Sequence, residues 1–122
     1  MRLLSRPCWV YVYITGTPQY LPIEILMGDK YSSKCDVFSV GVMLYEMLYG
    51  SHPFYQDKKM SGIPGLIQIL KVSTARCPET PKINPLIKIL LERMLGIYEV
   101  NRVSWEEIFI DAYFLQKKSY YR

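Results

Sequence analysis

The sequence has few of the residues from which metal and disulfide sites are built. Its 122 residues include one histidine, His52, and three cysteines, Cys8, Cys35 and Cys77. No two cysteines form a C-x-x-C pair, so the spacing typical of a zinc site is absent and we predict no metal site. An odd number of widely separated cysteines favours a reducing, cytoplasmic compartment, in which they act as small buried hydrophobic residues.

The sequence also lacks a hydrophobic run long enough to cross a bilayer. The longest run, residues 37–49, is shorter than the ~20 residues that a spanning helix needs. The run at 8–14, CWVYVYI, is too short and too aromatic for a signal peptide or a transmembrane helix. The net charge is +4 and the basic residues are spread along the chain, which favours a solvated surface. We therefore expect neither a membrane nor a nucleic acid as partner.

The feature that organises the chain is the apolar stretch within residues 33–50, SKCDVFSVGVMLYEMLYG. Ser33 and Asp36 have the S-x-x-D spacing of a capping box at a helix start. Gly50 can end the helix in the left-handed conformation, and Pro53 prevents its resumption. Because apolar residues point to every side, we predict a buried central helix around which the other segments pack.

The other segments predict a mainly α-helical body. Apolar residues at helical spacing run through 86–95, and we interpret them as packing, not as a cofactor site. Residues 10–14, VYVYI, are either a short N-terminal strand or part of a disordered leader. Helix starts are marked by proline or by a capping residue at Pro22, Pro64, Asn84 with Pro85, and Ser104 with Glu107, and we expect Gly28 and Gly96 to end the first and third of these helices.

Three segments, in this order, resemble the C-terminal lobe of a eukaryotic Ser/Thr protein kinase. Residues 16–24, GTPQYLPIE, are similar to the end of an activation segment, although the proline of the A-P-E triplet is displaced by one position. Residues 36–54 match D-V-W-S-x-G-V followed by G-x-x-P-F, with Phe38 in place of tryptophan. Residues 102–114 are similar to the end of the lobe. The resemblance divides the chain into a leader at 1–15, a partial C-lobe at 16–114 and a basic tail at 115–122.

The resemblance implies a structural role for three charged residues. Glu24 and Arg102 would form a buried ion pair that ties the activation segment to the last helices, since an arginine fork suits a carboxylate. The alternative is that both are ordinary surface charges. Asp36 would hold the catalytic loop of a complete kinase, but plain capping of its own helix is an equal or better interpretation.

The resemblance also implies a substrate pocket at Gly16, Thr17 and Tyr20. Thr17 occupies the position where Ser/Thr kinases place a threonine that lines the peptide pocket, with a loop threonine making only backbone contacts as the alternative. Thr15 or Thr17 could accept a phosphate by its loop position alone. The lone His52 lies in a turn, where a surface or satisfied structural role is favoured over catalysis.

Phosphoryl transfer from ATP and Mg²⁺ needs parts that this sequence does not contain. The glycine-rich loop, V-A-I-K, H-R-D and D-F-G signatures of the family are all absent. We therefore expect an incomplete kinase domain, which is either a short gene product or a fragment of a longer enzyme. We expect this chain alone to have no kinase activity and to bind no cofactor.

Two other functions remain open at this point. The first is a pseudokinase-like, non-catalytic interaction module that docks a protein through residues 63–70, with Leu66 at the centre of the docking face. The second is an unrelated small helical protein. In either kinase interpretation, the central helix lacks the elements that cover it in complete kinases, so we expect exposed core surface and self-association.

Overall fold

A computed structural model describes residues 18–55 and 62–110, and within these ranges all regular structure is helical. This confirms the mainly α-helical fold class, whereas the predicted N-terminal strand lies outside the described residues. In chain order the elements are a 3-10 helix Pro18–Tyr20, α1 Ile23–Leu26, α2 Lys34–Tyr49, α3 Gly62–Lys71, α4 Pro85–Met94, a 3-10 helix Glu99–Asn101 and α5 at residues 105–110.

The central helix is α2, which packs against α4 and the first 3-10 helix, while α1 packs against α3. Its buried residues are Cys35, Val37, Phe38, Gly41, Val42 and Tyr45. Gly41 allows α4 to approach closely, since a Cβ at this position would lie 3.1 Å from both Leu95 Cδ2 and Met94 Cβ. The contact between these two helices therefore depends on the missing side chain.

The predicted burial of α2 holds for one part of its surface, whereas one stripe of the helix faces solvent. Asp36, Val40, Met43 and Met47 are exposed, and Met47 keeps 80% of its surface accessible. These positions are spaced by four, three and four residues and so lie along one side of a helix. The exposed apolar surface agrees with the expectation that part of the central helix would remain uncovered.

The predicted capping box at the start of α2 is wrong for Ser33. Ser33 already has helical torsion angles, φ −61° and ψ −11°, and makes no side-chain cap hydrogen bond. The hydroxyl of Ser32 instead accepts a hydrogen bond from the backbone N–H of Lys34 at 3.2 Å. At the other end, Gly50 adopts φ 81° as predicted, and its N–H donates to Glu46 O.

The cap residues of the two C-terminal helices are as predicted. The side chain of Asn84 accepts from the N–H of Leu86 at 2.8 Å, with Pro85 as the first helical residue. Glu107 Oε1 accepts from the N–H of Ser104 at 3.0 Å, and Ser104 Oγ accepts from the N–H of Glu107 at 3.2 Å. Both capping interactions are local, so the sequence spacing alone was sufficient to find them.

Three details of α3 and α4 differ from the predictions. Helix α3 begins at Gly62, two residues before Pro64, since proline is tolerated throughout the first helical turn. Helix α4 ends at Met94, with Leu95 and not Gly96 as its C-cap. The stripe at 86–95 is buried only in its C-terminal half, because Leu86 and Ile87 retain 50% and 42% of their surface.

Candidate functional site

The guanidinium of Arg102 makes five hydrogen bonds, which join three segments of the chain. Its Nη1 lies 2.6 Å from Glu24 Oε2, and its Nη2 lies 2.9 Å from Glu24 Oε1. The guanidinium also donates to three backbone carbonyls, those of Lys34 at 3.0 Å, Gly96 at 2.9 Å and Ile97 at 2.9 Å. All five N–H donors of the fork therefore have an acceptor.

The Arg102 side chain is fully buried, and the Glu24 side chain retains 8% of its surface. The charged guanidinium also lies 5.1 Å from the centroid of the Phe38 ring. Burying a charge is costly unless a partner and hydrogen bonds replace the lost water, and here both are present. The structure thus brings together Glu24 and Arg102, the two residues for which the sequence predicted an ion pair.

Close backbone packing before Arg102 sets the position of its side chain. A Cβ on Gly96 would lie only 2.8 Å from the carbonyl oxygen of Asn101, so the chain folds back on itself through a position that needs glycine. The Glu99–Asn101 3-10 helix follows, and the N–H of Val103 then donates to Arg93 O at 3.1 Å. The guanidinium enters the core between α1, α2 and this loop.

A second contact joins the same segments near the surface. Glu99 Oε2 accepts from the N–H of Ser32 at 2.9 Å and from the Ser32 hydroxyl at 2.9 Å. The ammonium of Lys34 donates to the Glu99 carbonyl at 3.2 Å. The loop before α2 is therefore held to the loop before Arg102 by the partly exposed Glu99 carboxylate as well as by the buried ion pair.

Tyr20, a predicted pocket residue, is attached to the central helix at two points. Its hydroxyl donates to Glu46 Oε1 at 2.7 Å, and its carbonyl accepts from Ser39 Oγ at 2.6 Å. The hydrogen bond to the Glu46 carboxylate raises the pKa of the Tyr20 phenol above its usual value. The other predicted pocket residues and phosphosites, Thr15, Gly16 and Thr17, lie outside the described residues.

His52 joins the turn after α2 to the 3-10 helix before α1. Its Nε2 lies 2.8 Å from Gln19 O, and its Nδ1 accepts from the N–H groups of Phe54 at 3.0 Å and Tyr55 at 3.2 Å. Burial lowers the pKa of the imidazole, against the opposing effects of the Gln19 carbonyl and the Glu46 carboxylate. The predicted structural role is confirmed, but its partners were not predicted, since Gln19 is 33 residues away.

Asp36 is exposed, and its Oδ1 lies 3.7 Å from the thiol of Cys35. No cap hydrogen bond forms at the Ser33 position, and the role of Asp36 as cap or anchor stays a prediction.

The docking face predicted on α3 is wrong at its central residue. Leu66 retains 2% of its surface and Leu70 none, since both pack into the main hydrophobic cluster with Phe54 and Tyr55. The substitution Leu66→Asp would therefore disrupt the core and could not report on docking. Exposed apolar side chains lie on α4, at Leu86, Ile87 and Ile89, in addition to those on α2.

The described residues contain neither a cluster of metal-ligating side chains nor a membrane-spanning helix. Within 18–55 and 62–110, no three His, Cys, Asp or Glu side chains form a group able to hold a metal ion. Nor does any helix in these ranges have the length and hydrophobicity needed to span a membrane.

Comparison with known proteins identifies the family. The model of the protein kinase domain matches residues 5–114, and the chain belongs to the protein kinase domain family. This confirms the resemblance seen in the sequence. The match begins at residue 5, so it includes part of the segment interpreted as a leader.

Proteins named as protein kinases, several of them as serine/threonine-protein kinases, are among the relatives found by sequence comparison. Serine/threonine-protein kinase tousled-like 2 of Xenopus tropicalis is 34% identical over 104 residues, which cover 82% of this chain and 15% of that protein. Serine/threonine-protein kinase SRK2D of Arabidopsis thaliana is 34% identical over 102 residues, covering 83% and 28%. MAP kinase-activated protein kinase 2 of Cricetulus longicaudatus is 27% identical over 115 residues, covering 93% and 33%. The chain thus spans at most a third of each of these relatives.

Proposed function

We propose that this chain provides the helical, peptide-side lobe of a Ser/Thr protein kinase, with the lobe at 16–114, a leader at 1–15 and a basic tail at 115–122. The observation that carries the proposal is the Arg102–Glu24 pair, with distances of 2.6 Å and 2.9 Å. It joins the segment that resembles the end of an activation segment to the last helices. A buried charge pair between residues 78 positions apart supports the proposal, because the resemblance to the kinase lobe implies a contact between these two residues.

The peptide pocket of the proposed lobe comprises Gly16, Thr17 and Tyr20, with Thr15 and Thr17 as candidate phosphate acceptors. Support for the Tyr20 assignment is its double attachment to α2 through Glu46 and Ser39. A backbone segment that binds an extended peptide needs such rigid support, because ordering it at the time of binding would cost affinity. The substrate of the complete family is a protein Ser or Thr side chain.

We further propose that the 122 residues alone do not transfer phosphate. The sequence contains none of the signatures for the nucleotide cradle, the phosphate-binding lysine, the metal-binding aspartate or the catalytic base. The odd number and wide separation of Cys8, Cys35 and Cys77 support a reducing, cytoplasmic location.

The test is a radiolabelled phosphate-transfer assay of the purified chain, with Mg²⁺-ATP and a degenerate Ser/Thr peptide mixture, together with ATP binding by calorimetry. We expect neither binding nor turnover. The matched control is Arg102→Met, which is expected not to hold the fold. Turnover in the original chain that is lost in Arg102→Met would refute the inactive assignment, whereas equal turnover in both would reveal a co-purifying kinase.

The alternative function is a pseudokinase-like interaction module, and the exposed apolar side chains of α4 favour a surface different from the predicted one. Leu86, Ile87 and Ile89 retain 50%, 42% and 55% of their surface. The discriminating measurement is complementation. A supplied fragment of a related kinase that carries the ATP-binding lobe together with the H-R-D and D-F-G segments should restore peptide phosphorylation if the chain is a kinase lobe. If the chain is only an interaction module, no activity should appear although the two parts associate.

A further inference from the structure

One imidazole connects two segments that are distant in sequence, and it does so from both ring nitrogens. Nε2 of His52 contacts the carbonyl of Gln19 at 2.8 Å, whereas Nδ1 faces two backbone N–H groups, of Phe54 at 3.0 Å and of Tyr55 at 3.2 Å. The His52 ring also lies 4.5 Å from the Tyr55 ring and 6.1 Å from the Tyr20 ring, centroid to centroid.

These contacts define the protonation state of the ring. A backbone N–H can only donate, so Nδ1 must present its lone pair and carry no proton. A backbone carbonyl can only accept, so Nε2 must carry the proton. The neutral Nε2–H tautomer satisfies every contact. In the imidazolium form, the added proton on Nδ1 would point at two N–H donors, while the bond to Gln19 would survive.

We propose that His52 is a positioning residue that couples the turn at residues 52–55 to the Pro18–Tyr20 helix only as the neutral imidazole, so that protonation releases the turn. The turn matters because the Phe54 ring stacks on Phe38 at 5.9 Å, and Phe38 lies beneath the buried guanidinium of Arg102. These contacts of His52 with Gln19, Phe54 and Tyr55, here called the His52 bridge, therefore connect the edge of the proposed peptide pocket to the centre of the lobe.

The charged and titratable groups around the ring come from each packed element that the structure describes. The 3-10 helix contributes Tyr20, the central helix contributes Glu46, and the turn contributes Tyr55. Burial is the larger effect on the ring and lowers the pKa of His52. The Glu46 carboxylate has the opposite effect, since it favours the imidazolium, but this carboxylate already accepts a hydrogen bond from the Tyr20 hydroxyl. Since the folded pKa is below the unfolded value of about 6.5, the stabilisation is complete above that pH and is lost as pH falls through the folded pKa.

The first experiment uses the unmodified chain and needs neither ATP nor peptide. His52 is the only histidine, so every imidazole signal in a ¹⁵N NMR titration belongs to it. We expect the Nε2–H tautomer at pH 7.5. The second readout is hydrogen exchange of the Phe54 and Tyr55 amides, corrected for intrinsic exchange rates. As pH falls and His52 becomes protonated, the protection factors of these amides should fall about tenfold for each pH unit by which the pKa of His52 is lower in the folded state than in the unfolded state.

A matched pair of variants separates the two sides of the bridge. In His52→Asn, the amide oxygen takes the place of Nδ1, so the Phe54 and Tyr55 amides should stay protected at all pH values. In His52→Gln, the amide nitrogen takes the place of Nε2, so protection should persist at Leu21, whose N–H bonds to Pro18 O at 3.1 Å, and be lost in the turn. Neither variant should show the pH-dependent step.

The Nδ1–H tautomer in the unmodified chain would overturn the inference, and this result does not depend on any variant folding. So would full protection of the turn amides after His52 has titrated, or identical exchange profiles for the two variants. All these readouts are independent of phosphate transfer. Failure of the bridge and failure of the kinase proposal are therefore distinguishable.

Discussion

Replacing Arg102 by methionine should be the most destabilising single change in the described part of the chain. Methionine preserves much of the apolar stem but removes all five donors. The carboxylate of Glu24, with 8% of its side chain exposed, would lose both guanidinium bonds. Stranding one partner of a buried ion pair costs about 3–5 kcal/mol.

The three carbonyls of Lys34, Gly96 and Ile97 would lose a donor at the same time. Each such loss costs about 1 kcal/mol where no water replaces the donor. The sum, about 6–8 kcal/mol, is comparable with the whole stability of a domain, ~5–15 kcal/mol. We therefore expect Arg102→Met to be largely unfolded in buffer at 25 °C.

Glu24→Gln should be milder. The amide oxygen can still accept one bond from the guanidinium, and the three backbone carbonyls keep their donor, but the buried positive charge loses its counter-charge. We expect a loss of about 3 kcal/mol.

The assay is urea unfolding followed by far-ultraviolet circular dichroism. The control is Arg93→Met, which makes the same chemical change at an exposed pair with Glu107, 3.5 Å apart with 43% and 54% of the side chains accessible. Exposed pairs contribute ~0–1 kcal/mol. If Arg102→Met remains folded and loses no more stability than Arg93→Met, with an unchanged dependence on urea, the argument from the buried pair is refuted.

Three further predictions concern single sites. Tyr55→Phe removes a buried hydroxyl that has no hydrogen-bond partner among the described residues and should raise the free energy of unfolding in urea by about 1 kcal/mol. Tyr45→Phe loses a bond to a carbonyl oxygen at 3.4 Å and should lower the free energy of unfolding; the opposite order would contradict the assignment. Gly96→Ala should cost about 1–3 kcal/mol in thermal unfolding, because its Cβ would meet Asn101 O at 2.8 Å; an unchanged melting temperature would contradict the close approach. Met47→Lys changes a side chain that is 80% exposed and should reduce light scattering and dye binding while stability stays within about 0.5 kcal/mol; unchanged scattering would count against self-association through this surface.

The features that could be predicted from the sequence are those encoded by neighbouring residues or by a family pattern. The caps at Asn84 and Ser104 depend on contacts within three residues, and Gly50 ends α2 by its own backbone freedom. The approach of Glu24 to Arg102 was expected only from the family resemblance, since nothing in the spacing of two residues so far apart predicts contact.

The features that could not be predicted depend on what the chain places opposite each side chain. Residues 37–49 are apolar at nearly every position, so no periodicity distinguishes the buried side, with Val42, from the exposed side, with Met47. The burial of Leu66 and the exposure of Leu86 have the same origin, because both lie in amphipathic helices whose packing partners come from elsewhere. The partners of His52 and the three carbonyls around Arg102 likewise arise only when the loops converge.

The long separation between Glu24 and its counter-charge also has a consequence during synthesis. Translation adds about 5–20 residues per second, so the 78 positions between the two residues take about 4–16 s to be made. During this interval the nascent chain contains Glu24 but not yet Arg102. If α1 packed against α2 at this stage, the negative charge of Glu24 would be buried without a counter-charge. The order in which the ribosome delivers the chain thus favours an open, chaperone-accessible intermediate until the guanidinium emerges.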